Sequence, residues 1–256
     1  VVNLKFWAKD RDVLQACLDL FNDLATQYTT MTLMVKLDGV KAILHNHSSD
    51  TFPFLKVATN GSLHTYFYST LAHMVVIAAG SNVDEFDKFM QPFERTFHGY
   101  CAMSCFARCV HQISPLTLSC VGIVKGTSGN PGALISSGKQ SYNLVFDWLY
   151  PKYLPIILRI IETWWDVPAV AIPVLRFWAE LTHNTAQRIV FETSSASGII
   201  LFRETSKLLT IYGSRMVASA KAPVENLYKQ RLKGISLALV CMSHGLSGGY
   251  CNFGLL

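Results

Sequence analysis

The chain has 256 residues, 50% of them hydrophobic and 15% charged, with a formal net charge of +5. That supplies enough apolar material for a sizeable core in one or two domains. The longest apolar run near the middle of a helix, residues 74–79, is far too short to cross a bilayer, which excludes membrane insertion. The seven cysteines are an odd number without regular disulfide spacing. No signal peptide opens the sequence, so a reducing intracellular compartment is expected.

The apolar spacing predicts helices almost throughout. Val13, Ala16, Leu20 and Leu24 step by three and four, giving a helix to about Gln27 with Asp10 or Asp12 as its cap. A second is expected from Thr30 through Leu33, Val35, Leu37, Val40 and Leu44, closing near "HNHSSD". A third follows Asn60-Gly61 with Ser62 as cap and runs to Gly80. The fourth opens at "SNVDEF", where Ser81 with Asp84 or Asn82 with Glu85 has capping-box spacing, and Pro92 is expected to bend it.

Further along, "SYNLVFDWLYP" and "YLPIILRIIETWW" are expected helices. Asp166, Pro168 and Pro173 punctuate before "VLRFWAELTHN". Ser197-Gly198 leads into "IILFRETSKLLTIYG", with Gly213 placed to follow a helix end. Pro223 has a first-turn position before "VENLYKQRLKGISLALVCMSHG". "RIVFET" (residues 188–193) is the best strand candidate and too isolated to build a sheet. Antiparallel helix pairs of roughly 40 to 50 residues fall in the range of HEAT and armadillo repeats. The expected fold is all-α, an α-solenoid of such pairs wound as a superhelix, with residues 1–256 as one segment of it.

The candidate chemistry is thin. "GNPGALISSGKQS" (residues 129–141) looks like a phosphate loop. However, Gly132 and Gly138 are separated by five residues and Lys139 is followed by Gln140, so the spacing and the magnesium-binding hydroxyl of a Walker motif are missing. The stretch reads as a flexible loop. Cys101, Cys105, Cys109 and His111 would spread over about 12 Å of one helix, too far for one zinc that holds sulfur at about 2.3 Å. His45 and His47 sit where histidines complement a helix end, without a third ligand nearby. Ser194, Ser195 and Ser197 suit capping. Trp148, Tyr150, Tyr153, Trp164, Trp165, Phe177 and Trp178 read as core between stacked helices, with part of the group available as a docking surface. No cofactor, metal site or enzyme signature emerges.

The charge is placed unevenly. Arg203, Lys207, Arg215, Lys221, Lys229, Arg231 and Lys233 face only Glu204 and Glu225 within residues 203–233, so this stretch carries the whole net charge of +5. These seven residues are the candidate partner-binding set, suited to an acidic protein surface. No direct nucleic-acid partner is expected.

The wording becomes specific at "ELTHNTAQRIVFETSSASGIILFRETSKLLTIYGSR" (residues 180–215). This resembles the exportin-7-like nuclear transport receptors of the importin-β (karyopherin-β) superfamily, together with related Ran-binding proteins. "MVKLDGVKAILHNHSSDTFPFL", "LVFDWLYPKYLPIILRIIE" and "LKGISLALVCMSHGLSGGYCNFG" resemble the same family, and matching text covers residues 13–99 and 142–254 in the family's order. The resemblance implies an interior fragment of a HEAT-repeat arch that binds protein cargo, nucleoporins and Ran-GTP and shuttles between nucleus and cytoplasm through the pore. The Ran-GTP contacts of such receptors lie mainly in N-terminal repeats, outside this segment, and no cargo residue is carried over. A HEAT-repeat scaffold without a transport role is the alternative.

Residues 100–141 depart from the family. "YCAMSCFARCVHQISPLTLSCVGIVKGTSGNPGALISSGKQS" has Arg108 and Lys125 as the only charges between Tyr100 and Gly138. It reads as an atypical stretch, disordered or misassigned, such as a misread exon boundary or a decayed copy would produce.

Overall fold

A computed structural model describes residues 2–56, 61–79, 83–102, 135–184, 191, 195–218 and 225–249. The described residues are all-α, of the helical-repeat solenoid class, and the chain divides into two compact units, residues 1–141 and 142–256.

The first unit holds α1 (Val2–Phe6), α2 (Arg11–Thr26), α3 (Tyr28–Met34), α4 (Asp38–His45), a 3-10 turn (Pro53–Lys56), α5 (Gly61–Ala79) and α6 (Val83–Ala102). Asp10 caps α2: its Oδ1 accepts from the backbone N–H groups of Asp12 and Val13, each at 3.1 Å. The helix expected from Thr30 to Leu44 is two helices. Leu37 is extended (φ −70°, ψ 132°), and α4 restarts with Asp38 complementing its N-terminal dipole. Leu33 and Leu37, counted in the expected apolar face, are exposed, and the buried positions are Met31 and Met34 on α3 and Val40, Ile43 and Leu44 on α4. Ser62 lies inside α5, where its hydroxyl accepts from Arg11 at 3.3 Å. The capping candidates Ser81 and Asn82 lie outside the described residues, and Pro92 lies inside α6.

Packing in this unit is layered. α5 lies against α2 and α6, while α6 also reaches back to α4. Neighbours along the chain and elements one pair apart are thus both in contact, as stacked helical hairpins require. Leu14, Leu18, Phe52, Phe54, Phe67 and Phe97 fill the core, each contributing about 1.5–3 kcal/mol by burial. Phe54 and Phe67 meet edge to face with centroids 5.4 Å apart. A groove of about 450 Å³ lined by Leu20, Leu24, Leu37 and Val40 stays open beside α2.

The second unit contains the part of α7 (Ile135–Leu149) from residue 142 onward, together with α8 (Leu154–Trp164), α9 (Pro168–Thr182), α10 (Ser197–Ala218) and α11 (Glu225–Ser247). Its layering is clearer. α8 packs on α10 and α9 on α11, while α8–α9 and α10–α11 are the sequential pairs. Trp178, fully buried on α9, donates its indole N–H to Thr205 Oγ1 on α10 at 3.0 Å. The Tyr142 hydroxyl donates to the Leu181 carbonyl at 2.6 Å. Of the aromatic group, Tyr153, Trp164, Phe177 and Trp178 are buried, while Trp148, Tyr150 and Trp165 are half-buried.

Several sequence expectations change here. Pro173 does not precede a helix but lies buried inside α9, which begins at Pro168. Proline at a first-turn position costs nothing, and the later one removes a single ladder bond within a packed interior. Gly213 does not end its helix, because α10 runs on to Ala218; it is exposed, with open space around it, so the helix simply tolerates it. α7 starts at Ile135 instead of Ser141, since no proline follows Pro131 to stop the helix from extending backward. Pro223 and residues 188–190, 192 and 193 of the strand candidate lie outside the described residues.

α11 has two unlike faces. Gly234, Cys241 and Gly245 are buried, whereas Leu232, Ile235, Leu239, Met242 and Leu246, spaced by three and four, stay 39–71% exposed.

Candidate functional site

The groove between α8 and α10 is where the basic stretch acquires a shape. α10 carries Arg203, Lys207, Ile211 and Arg215 at intervals of four, which places them on one face. That face meets α8, and the two helices enclose a cavity of about 430 Å³ lined by Tyr150, Pro155, Leu158, Arg159, Glu162 and the α10 residues Arg203 to Ile211.

Glu204 organises it. Its carboxylate is 3% exposed, and Oε1 accepts from Arg203 Nη2 at 2.8 Å and from Lys207 Nζ at 2.9 Å. Both cations remain about half exposed. Arg203 Nη2 also donates to the Tyr150 hydroxyl at 3.2 Å, which ties α10 to the turn after α7. Further along, Arg215 Nη2 meets Glu162 Oε1 at 3.5 Å across the two helices, with both side chains half exposed. An exposed pair of this kind contributes about 0–1 kcal/mol.

The seven candidate residues do not form one site. Arg203 and Lys207 line the groove and Arg215 stands near its end. Arg231 and Lys233 belong to α11. Lys229 is on α11 with its side chain outside the described residues, and Lys221 lies wholly outside them. Arg159 and Glu162 have no place in the sequence-based expectation, whereas Tyr150 belongs to the aromatic group of which part was read as a docking surface. The signal available was the exposed i,i+3 pair Arg159–Glu162 on an otherwise apolar helix, which separation along the chain hides from any count of local charge.

The other candidates resolve differently. His47 is fully buried, with Nε2 bonded to the Phe89 carbonyl at 2.8 Å and the Tyr68 hydroxyl donating to its own carbonyl at 2.7 Å. Burial lowers its pKa to about 4, against the opposing pull of the Phe89 carbonyl. His45 lies 3.2 Å from Glu85. Ser195 Oγ accepts from the Ser197 backbone N–H at 3.2 Å, a turn at the start of α10, while Ser194 is outside the described residues. Gly138 and Lys139 lie on α7, not in a loop that could wrap a phosphate; residues 129–134 fall outside the described residues, as do Cys105, Cys109 and His111. Among the described residues no cluster of three or more metal-ligating side chains occurs, and no helix is long and apolar enough to cross a membrane.

Comparison with known proteins gives a similarity along the chain. The family model described as "Exportin-7-like, TPR domain" matches residues 1–63. The chain is 37% identical to Exportin-7-A of Xenopus laevis along 100% of its length, covering 24% of that protein. It is 35% identical to Ran-binding protein 17 of Homo sapiens, again along 100% of the chain and 23% of the relative. The chain is similar to exportin-7-like proteins along its whole length. With Exportin-7 of Dictyostelium discoideum this exportin-7-like chain shares 31% identity along 99% of its length. It spans about a quarter of the length of these relatives. The alignment with Exportin-7-A runs along the chain from end to end.

Proposed function

We propose that this exportin-7-like chain is a segment of a Ran-GTP-dependent nuclear export receptor. In this reading it binds protein cargo and nucleoporins, moves between nucleus and cytoplasm through the pore, and acts by surface and shape, without chemistry of its own. The observation that carries the proposal is its identity with exportins and Ran-binding proteins along essentially its whole length. Layered helix pairs suit such work: each contacts its neighbours alone, so a long surface stays available and a small change per layer adds up. We read residues 1–256 as one stretch of that solenoid, with residues 100–141 as its atypical part, and the basic residues as the place where an acidic protein surface docks.

A chimera tests the proposal. The chain replaces the matching quarter of Xenopus laevis Exportin-7-A, and Ran-GTP binding and nuclear export of a cargo are measured. Retained export supports a transport role. A folded chimera that binds Ran-GTP but exports nothing would favour a scaffold without transport.

A further inference from the structure

We propose that the α8–α10 groove receives an extended acidic segment of a partner protein, with its carboxylates on Arg203 and Lys207 and its apolar side chains over Pro155, Leu158 and Ile211. This rests on the reading that the chain works by binding proteins, and it narrows the docking place to one groove.

The central observation is the burial of Glu204 beneath two half-exposed cations. A carboxylate sealed from water cannot meet a ligand, but it holds both cations at the groove in fixed positions. Arg203 uses Nε and Nη2 on Glu204, and Nη2 also reaches Tyr150. A guanidinium has five N–H donors and an ammonium three, so donors remain on the outward side of each. One carboxylate against two cations leaves a net positive charge there. Prepositioned side chains lose less freedom on binding than mobile ones, which favours an anionic occupant.

The lining also selects among anions. Pro151, Pro155, Leu158 and Ile211 form an apolar wall within the same cavity. Glu162 faces the groove as well, paired with Arg215, and would repel a continuous run of phosphates. Among the described residues Tyr150 is the sole aromatic in the lining, which gives successive nucleic-acid bases no stacking platform there. Alternating carboxylate and apolar side chains on an extended peptide fit both halves of the lining.

The test uses the 256-residue chain and a fluorescent peptide alternating Glu with Leu, followed by anisotropy. Arg203→Glu with Lys207→Glu should weaken binding by about ten-fold or more at low ionic strength, whereas Lys41→Glu on α4, an exposed lysine outside the groove and outside the basic set, should leave it unchanged. Glu204→Gln should tighten binding several-fold by removing the buried negative charge, an effect that mere loss of structure cannot produce and that survives even if the double reversal unfolds. Unchanged binding in both variants, equal binding of the Gln–Leu peptide, or displacement by a single-stranded RNA would overturn the proposal. Peptide binding without export in the chimera would sink the transport reading alone; export without peptide binding would sink the groove alone.

Discussion

The hydroxyl of Tyr212 on α10 rests against the bare Cα of Gly234 on α11, with Leu175 Cδ1 of α9 3.8 Å from where a Cβ would stand. Three helices converge at this point, and the glycine is required by close approach, not by a turn. Tyr212 is 4% exposed, so its ring cannot swing aside into solvent. Alanine at 234 should gain up to about 1 kcal/mol of helix propensity and lose about 1–3 kcal/mol to overpacking. Gly234→Ala is therefore expected to lower urea stability by about 1–2 kcal/mol. In a Tyr212→Phe background the loss should be smaller, because the hydroxyl is the nearest atom in the way, although the ring carbon behind it stays 3.3 Å from the Cβ position.

Stability should fall in mild acid. Burial lowers His47 to about 4, and it does the same to His64, against an opposing pull from the Phe54 backbone. Neither His64 ring nitrogen has a hydrogen-bond partner in good geometry. An unfolded histidine takes its proton at about 6.5. Both folded values lie below that, so the loss is absent above about pH 6.5, grows as pH drops, and levels off below about 4. Each site accounts for about 3 kcal/mol at most. Glu85, held low by Lys88 and then His45, acts in the same direction at the acid end. The diagnostic is hence the difference between parent and His64→Phe in urea midpoints from pH 7 to 4: the variant should lose less. Parallel curves would refute this.

The buried pair Trp178–Thr205 should behave as a unit. Thr205→Val removes the acceptor of the indole N–H and leaves that donor buried, at about 1–3 kcal/mol. The hydroxyl of Thr205 also donates to the Leu201 carbonyl at 2.7 Å, a bond that valine loses as well. Combining Thr205→Val with Trp178→Phe should cost less than the two single losses added, with a coupling of about 1 kcal/mol. Additive losses in a thermal or urea double-mutant cycle would contradict the geometry.

The exposed stripe of α11 should make the chain associate with itself. Leu232, Ile235, Leu239, Met242 and Leu246 lie at heptad-like spacing, and from Gly234 to Ser247 the helix carries no acidic or lysine or arginine side chain. Leu239→Gln with Leu246→Gln should raise the dissociation constant by about ten-fold or more by removing apolar contact area, with helix content unchanged. Sedimentation velocity over a concentration series checks this, and a parent chain that stays monomeric throughout would dispose of it.

Much of this architecture was legible from local pattern. Asp10 as a cap, the helices around Leu14 and Ile157, and the all-α class follow from spacing and from the lack of alternation. What escaped depended on partners far away in the chain. Pro173 reads as a breaker, yet a packed interior tolerates it inside a helix. Gly213 and Gly234 look alike in the sequence, but one is idle and the other sits where α9, α10 and α11 meet. The basic stretch was visible as charge, but its grouping was not. Arg203 and Lys207 share a groove with Arg159, more than forty positions earlier, while Lys233 belongs to another helix. Sequence proximity reports charge density, and only packing decides which charges a ligand would meet together.

The layering of the second unit has a kinetic consequence. The hydrogen bond from Cys241 Sγ to the Leu175 carbonyl closes 66 positions, and it belongs to a pair of helices one layer apart. Its main helix contacts among the described residues join sequential helices or helices one layer apart, so loop-closure entropy is met in small instalments and folding can begin at a helical hairpin. Adding layers lengthens such a molecule without raising the largest of those instalments, which lets a receptor several times longer than this chain fold no more slowly per layer than a short one.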